Sequence, residues 1–421
     1  MNLLPDYLKC TDAFVKISVK SQLVQFSVLA NMQITSPLIT QSKLPEVKTT
    51  IFQTMSTIAN EAKAINLGQG FPDFACDDGL IASVTQAMHE GHNQYPPMSG
   101  TQQLRAAIAG KVRTLYDATY DINNEITVTA GATQALLTVI LATVNTGDEV
   151  IVIEPAYDSY IPSIQLAGGV PVLVSMQFEN GRFSIDWEKL RSKISKKTKL
   201  IIINSPHNPT GVCLQPSDLT NLAEIVRDTN IMILSDEVYE HMVFDGAKHM
   251  SIASDPELAQ RSFIVSSFGK TYHVTGWKVG YVLAPAQLMS EFRKVHQFNV
   301  FTVNTPMQIG IAQFMQANDH HLQLPQFYQE KRDYFRSGLK NTGFKLLDVD
   351  GSYFQCVDYS ALSNQTELEF ATWLTREIGV AAIPISAFYK DRTENRLIRF
   401  CFAKQQSTLD AALDRLARIA Q

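Results

Sequence analysis

Between about residues 125 and 285 the chain alternates short apolar runs with stretches of helical spacing. The runs are Ile126–Thr129, Val150–Glu154, Val170–Met176, Leu200–Asn204, Ile231–Ser235, Phe263–Ser267 and Val279–Ala284. They are rich in Val and Ile and mostly lack strict alternation, as strands buried on both faces do. Between them, Thr133–Thr143 and Leu219–Arg227 repeat apolar residues at the helical period. Strands alternating with helices predict right-handed crossovers and an α/β fold built on a mostly parallel seven-stranded sheet. Ligands of such sheets bind beyond the carboxyl ends of the strands. The chemistry is therefore expected just after each run.

After about residue 310 the pattern changes. Helical stretches at Gln326–Thr342, Glu367–Ile378 and Ser407–Ile419 flank two strand-like runs, Tyr353–Val357 and Leu397–Cys401. A chain of 421 residues exceeds what one core usually fills. The expected division is a large domain over 75–309 and a smaller α/β domain made of 32–74 with 310–421. Residues 1–31 are read as an extension. Their charges (Asp6, Lys9, Asp12, Lys16, Lys20) interrupt the apolar positions, which is unlike a secretory signal. A chain starting at Met32 is expected to keep its function; an ordered extra strand or helix is the alternative.

Composition narrows the class. Hydrophobic residues make up 45% and charged residues 18%, and the net charge is −5. No basic excess draws the chain to nucleic acid or an anionic membrane. No apolar run approaches the roughly 20 residues of a membrane span. Cys10, Cys76, Cys213, Cys356 and Cys401 are scattered, with no metal-ligand or redox spacing. That set predicts free thiols, no metal and a cytoplasmic protein.

Five segments at the ends of the runs carry candidate chemistry. In Ser267-Phe268-Gly269-Lys270 a lysine follows a buried strand, where desolvation and a nearby cation lower an amine's pKa. The bland alternative is a solvated surface lysine. Gly276-Trp277-Lys278-Val279-Gly280 sets a second cation eight residues on, between glycines, as a phosphate site requires. Asp236 ends an apolar strand in Ser235-Asp236-Glu237-Val238-Tyr239; it reads as a helix N-cap or as a buried partner for a cationic ring nitrogen. Tyr239 reads as core packing or as a phenol donor. In Asn204-Ser205-Pro206-His207-Asn208-Pro209-Thr210-Gly211 two prolines stiffen a loop that presents the Asn208 amide. His207 is read there as structural. Gly131-Ala132-Thr133 bridges a strand end and a helix start, where free N–H groups form an anion cup.

Taken in order, Gly131-Ala132-Thr133, Asn208-Pro209-Thr210-Gly211, Asp236-x-x-Tyr239, Ser267-x-x-Lys270 and Gly276-x-Lys278-x-Gly280 resemble the fold-type-I, class I aminotransferases, which use pyridoxal 5′-phosphate (PLP). The resemblance runs from about residue 35 to 421. Asn66–Phe74, Asn93-Gln94-Tyr95, Val295-His296-Gln297 and Ile398–Phe402 narrow it to the branch of kynurenine aminotransferase and glutamine transaminase K, and within it to the bacterial methionine aminotransferases.

The resemblance implies the PLP-transferase fold and a role for each matching position. Lys270 is the Schiff-base lysine and proton carrier. Asp236 pairs with the ring nitrogen, and Asn208 and Tyr239 bond the ring oxygen. Tyr157 stacks on the ring. Ala132, Thr133, Ser267 and Lys278 hold the phosphate, with Tyr95 reaching it from the other subunit of a homodimer. Arg399 binds the substrate carboxylate, helped by Asn208 and Gly70. Many aminotransferases have arginine at the position of Lys278; the lysine keeps the charge and gives up the bidentate fork. Phe52, Tyr95 and Phe301 are read as lining an apolar pocket, with ordinary packing as the alternative for the two phenylalanines. The implied reaction is ping-pong transamination between a methionine-, aromatic-, glutamine- or kynurenine-like amino acid and a 2-oxo acid. The alternatives are β-elimination from cysteine S-conjugates on the same fold and a PLP-binding regulatory module, for which residues 1–35 are short and weakly basic.

Overall fold

The computed structural model describes residues 42–420. The expectations for residues 1–31 lie outside the described residues. Each of the seven apolar runs forms a strand, and the seven make one sheet. They are β1 (Ile126–Thr129), β2 (Glu149–Glu154), β3 (Val170–Ser175), β4 (Thr198–Asn204), β5 (Met232–Asp236), β6 (Ser262–Ser267) and β7 (Gly280–Leu283). Their order across the sheet is β1-β7-β6-β5-β4-β2-β3.

Five of them, β2 to β6, run parallel to one another; β7 runs antiparallel to both β6 and β1. The connection from β6 to β7 holds only the four-residue helix Phe268–Thr271 and a short 3-10 turn. No crossover helix intervenes, so the chain turns back beside the strand it left. This reversal matters for the site. Gly280, at the start of β7, pairs with Ser267 and Thr129, at the ends of β6 and β1. The residues entering β7 thus share an edge with the carboxyl ends of the other strands.

Helices cover both faces of the sheet. On one side, Ala135, Leu136, Val139 and Ile140 of the helix Ala132–Thr143 pack with Val152, Phe263, Val265 and Val282. On the other, Leu104, Ile108 and Val112 of Gln102–Tyr116 join Ile126, Val128 and Ile264. Two-sided burial explains the missing alternation in these strands, since both side-chain directions meet apolar neighbours. Each such aliphatic side chain contributes about 1.5–3 kcal/mol.

A second, antiparallel sheet contains β8 (Lys345–Leu346), β9 (Phe354–Asp358), β10 (Ile383–Pro384) and β11 (Leu397–Cys401), in the order β8-β9-β11-β10. The chain before residue 75 meets this region, because Ile65–Asn66 pairs in parallel with Val380–Ala381. From Glu46 onward the chain folds as one unit. Residue 310 lies inside the helix Thr305–Ala317, and a Cβ on Gly310 would stand 2.4 Å from Val84 Cγ2. That glycine allows the helix to press against Asp78–His89.

Candidate active site

The carboxyl edge of the large sheet opens into a cavity of about 260 Å³. Every segment that the sequence singled out after a strand reaches it. From β1, Gly131 turns at φ +77° and begins the helix Ala132–Thr143, with no side chain capping its first turn. Unfilled N–H groups at Ala132 and Thr133 therefore face the cavity end. Lys278 enters from the reversed strand with φ +55°. A Cβ on Gly131 would lie 3.2 Å from Lys278 Nζ, so glycine leaves the space in which amide groups and a cation converge. Ser267, Ala132, Thr133 and Lys278 all line this end.

Asp236 closes the middle of the cavity. It is 4% exposed and accepts from Tyr160 Oη at 2.7 Å through Oδ2. Burial pushes its pKa up to about 6, while the Tyr160 hydrogen bond opposes the rise. No helix begins after Asp236; residues 238–240 form a turn, so it has no helix to cap. Tyr239 is buried beside it, and Tyr157 stands with its hydroxyl 3.2 Å from Thr133 Oγ1.

Lys270 projects from the short helix after β6. Its Nζ donates to Tyr353 Oη at 2.7 Å and to the Gly70 carbonyl at 3.1 Å. Burial lowers its pKa to about 8, with Arg399 and Lys278 acting in the same direction. Arg399, on β11, is 1% exposed. It donates through Nη1 to Asn208 Oδ1 at 2.6 Å and through Nη2 to the Gly68 carbonyl at 3.2 Å. Its guanidinium lies 3.8 Å from the Phe354 ring centroid, with Phe388 at 5.0 Å and Phe52 at 5.5 Å. Its Nε is buried without a hydrogen-bond partner among the described residues. Asn208 is oriented from its own loop, where its N–H donates to Asn204 Oδ1 at 2.8 Å.

The family model described as "Aminotransferase class I and II" matches residues 62–416. The chain belongs to the class I and II aminotransferases. Curated relatives span almost the whole aminotransferase. The methionine aminotransferase of Escherichia coli (strain K12) is 48% identical over 385 residues, covering 91% of this chain and 99% of its own. Kynurenine–oxoglutarate transaminase 1 of Mus musculus is 36% identical, covering 85% of this chain and 92% of its own. A crystal structure of an Escherichia coli protein, reported to identify a methionine aminotransferase function, superposes with a TM-score of 0.89 at 48% identity, over 91% of this chain and 100% of that one. This aminotransferase has the PLP-transferase fold and catalyses PLP-dependent transamination of an amino acid.

Its cavity suits that cofactor. A phosphate requires N–H donors and a cation, and the space beside Gly131 supplies both. A protonated ring nitrogen requires a carboxylate that burial has left short of counter-charge, as Asp236 is. An aldehyde requires an amine of lowered pKa, which Lys270 provides.

Of the sequence-derived residues, Phe52, Gly70, Ala132, Thr133, Tyr157, Asn208, Asp236, Tyr239, Ser267, Lys270, Lys278 and Arg399 are brought together at this cavity. Tyr95 and Phe301 are not. They meet edge-on at 5.4 Å on the outer surface, 81% and 50% exposed. Within one chain Phe301 packs on Tyr95 instead of lining the cavity. His207 is buried, bonded to Thr210 Oγ1 through Nδ1 at 2.7 Å, and its pKa falls to about 4 through burial, as a structural histidine's does. Sequence reasoning missed Tyr160, Tyr353, Gly68 and Phe354. Tyr160 opens the helix after Tyr157, and the two rings meet edge-on at 5.6 Å. Among the described residues no helix is long and apolar enough to cross a membrane.

Proposed function

We propose that this enzyme takes amino donors with apolar or neutral side chains, methionine foremost, then aromatic residues, glutamine and kynurenine. One observation carries the reading. The cavity's described lining contains three cations, Lys270, Lys278 and Arg399. With the first joined to the cofactor, the second on its phosphate and the third on the substrate α-carboxylate, no cation remains for a side-chain carboxylate. Phe52 and Phe354 wall the same end. The likeness to the Escherichia coli and mouse enzymes supports the same donors.

Residues 75–309 contribute the cofactor contacts, while Phe52, Gly70 and Arg399 come from the expected smaller domain. When bound, PLP supplies a conjugated ring that accepts the electron pair released at the substrate α-carbon. Asp236, fixed by Tyr160, would keep its ring nitrogen protonated. Asn208 and Tyr239 would bond its ring oxygen, and Tyr157 would cover the ring face. Ala132, Thr133, Ser267 and Lys278 would anchor the phosphate. Arg399, whose Nε has no partner among the described residues, would hold the substrate through its carboxylate and so fix its orientation in the cavity. Lys270 Nζ takes the Cα proton and returns it. A 2-oxo acid leaves, and a second one enters to receive the amino group.

An amino-donor screen against one shared 2-oxo acid tests the substrate reading. Methionine is expected to exceed aspartate and glutamate by at least about tenfold in kcat/KM, since an unpaired buried carboxylate is costly. Faster turnover of either acidic donor would overturn it. Pyruvate and ammonia formed from cysteine S-conjugates without an acceptor would mark β-elimination as an activity.

The enzyme is proposed to work as a cytoplasmic homodimer with shared sites. Tyr95, Phe298 and Phe301 are large aromatic side chains that lie exposed on one chain. A partner would bury them, and the Tyr95 hydroxyl would reach the other subunit's phosphate. The four described cysteines are free, as in a reducing compartment. Tyr95→Phe alone is expected to weaken PLP binding about tenfold. In heterodimers with Lys270→Ala, one site combines intact Lys270 and Arg399 from the Tyr95→Phe chain with Tyr95 from its partner. Titration should then find wild-type PLP affinity at half the sites. If confirmed subunit exchange restores nothing, Tyr95 does not act across an interface.

A further inference from the structure

Tyr353 precedes β9 and is fully buried. The rings of Phe354, Tyr239 and Tyr328 pack around it, with centroids 4.8, 5.1 and 5.8 Å away. That packing requires a ring and would accept phenylalanine. A buried hydroxyl costs free energy unless it is bonded. The partners of this hydroxyl are both active-site groups. It donates to the Gly70 carbonyl and accepts from Lys270 Nζ at 2.7 Å. Lys270 Nζ also donates to the same carbonyl at 3.1 Å, so amine, hydroxyl and carbonyl form a closed triangle.

Two corners of that triangle are fixed. Lys404, buried at 3% exposure, donates to the Phe71 carbonyl at 2.7 Å, while its own carbonyl accepts from Lys331 Nζ at 2.8 Å. A Cβ on Gly70 would lie 2.9 Å from Phe354 Cζ, so the Gly70 backbone is held against that ring. The Tyr353 ring is locked by its aromatic neighbours. Only the amine is on a flexible stem.

If Lys270 is the residue joined to the cofactor, as argued above, its amine is bonded in one stage of turnover and free in the next. We propose that the Tyr353 hydroxyl and the Gly70 carbonyl form the docking place of the released Lys270 amine, which makes Tyr353 a further catalytic residue. When Nζ takes the substrate Cα proton it becomes an ammonium with three N–H groups. One goes to Tyr353 Oη and one to the Gly70 carbonyl, which leaves the third to be delivered. No bond within Tyr353 forms or breaks; its hydroxyl proton stays directed at Gly70.

The test uses the full-length enzyme loaded with pyridoxamine 5′-phosphate, in which the lysine amine is free. Acetic anhydride labels only neutral amines, and mass spectrometry follows the Lys270 peptide across pH. The wild-type midpoint is expected below that of an exposed lysine, because the amine is buried. In Tyr353→Phe the ammonium loses a charged hydrogen bond, so the midpoint should fall by about one pH unit. The same variant should lose about tenfold or more in kcat with little change in KM. Tyr328→Phe removes a neighbouring hydroxyl that has no partner among the described residues and should leave the midpoint in place. An unchanged midpoint in Tyr353→Phe overturns the docking role, and so does loss of the cofactor from that variant, which would make the hydroxyl structural. Borohydride fixation followed by peptide mapping separates the two readings. A link on Lys270 with an unmoved midpoint sinks Tyr353 alone; a link on another lysine sinks both.

Discussion

Replacing Lys270 by alanine is expected to give a folded protein that binds PLP, cannot be joined to it by borohydride, and turns over roughly ten-thousandfold or more slowly. Folding should survive because the side chain's recorded hydrogen bonds go to Gly70 and Tyr353, and both partners are held by other contacts. The proposed phosphate anchors Ala132, Thr133 and Lys278 do not depend on the Lys270 side chain and should still hold the cofactor. Catalysis should not survive. Burial brings this amine to about 8, so near neutrality it can exist in the proton-accepting form, whereas an exposed lysine is almost wholly charged. The sign is definite. The neutral fraction falls as pH drops through about 8, so the free amine's contribution weakens on the acid side. Mass spectrometry of the reduced, digested enzyme checks the first part and steady-state kinetics the second. A covalent adduct that persists in Lys270→Ala, or turnover within tenfold of wild type, would remove Lys270 from the centre of the mechanism.

Much of this arrangement was legible in the sequence because the large sheet is buried on both faces. Seven Val- and Ile-rich runs mark its seven strands, and in parallel sheets the chemistry follows the strand ends. What the runs could not convey was direction. β7 is as apolar as its neighbours, yet it runs backwards because only a four-residue helix and a 3-10 turn precede it. Lys278 therefore reaches the cavity beside Gly131 before its strand instead of after one. The helix expected from Gln326 begins instead at His320 and carries Pro325 in its second turn. At that position the missing N–H leaves the His321 carbonyl without its helical donor, a cost that apolar spacing alone does not show to be tolerated. The last turn of Glu367–Ile378 widens into a π-helix from Leu374, which apolar spacing does not reveal. The site residues that were missed act on other side chains. Tyr160 supports Asp236, Phe354 stacks on Arg399, and Tyr353 holds Lys270; in sequence each is simply an aromatic residue in an apolar neighbourhood.

Asp236→Asn separates electrostatics from architecture, because it should move rate and stability in opposite directions. Burial raises the Asp236 pKa from 3.8 to about 6 in the chain without cofactor. About a pH unit below 3.8 the carboxyl is neutral in both the folded and the unfolded chain, and its titration costs nothing. As pH rises the unfolded chain ionises first, and the folded chain is progressively penalised. Above about pH 6 the penalty levels off, on the order of 3 kcal/mol. Asparagine removes it and can still accept from Tyr160. The cofactor-free variant should therefore melt at or above wild type at pH 7, and the difference should shrink through pH 4 and be gone about a pH unit below the unfolded value of 3.8. Binding PLP reverses the situation, because a cationic ring nitrogen uses the charge that the empty fold holds at a cost. A neutral amide cannot keep that nitrogen protonated, so turnover should fall about a thousandfold or more while PLP still binds. A purely structural aspartate predicts the reverse: stability lower by about 1 kcal/mol and near-normal turnover. Thermal melts at the two pH values, together with kcat for the loaded variant, decide between them. Near-normal turnover in a variant that binds PLP would remove Asp236 from the chemistry.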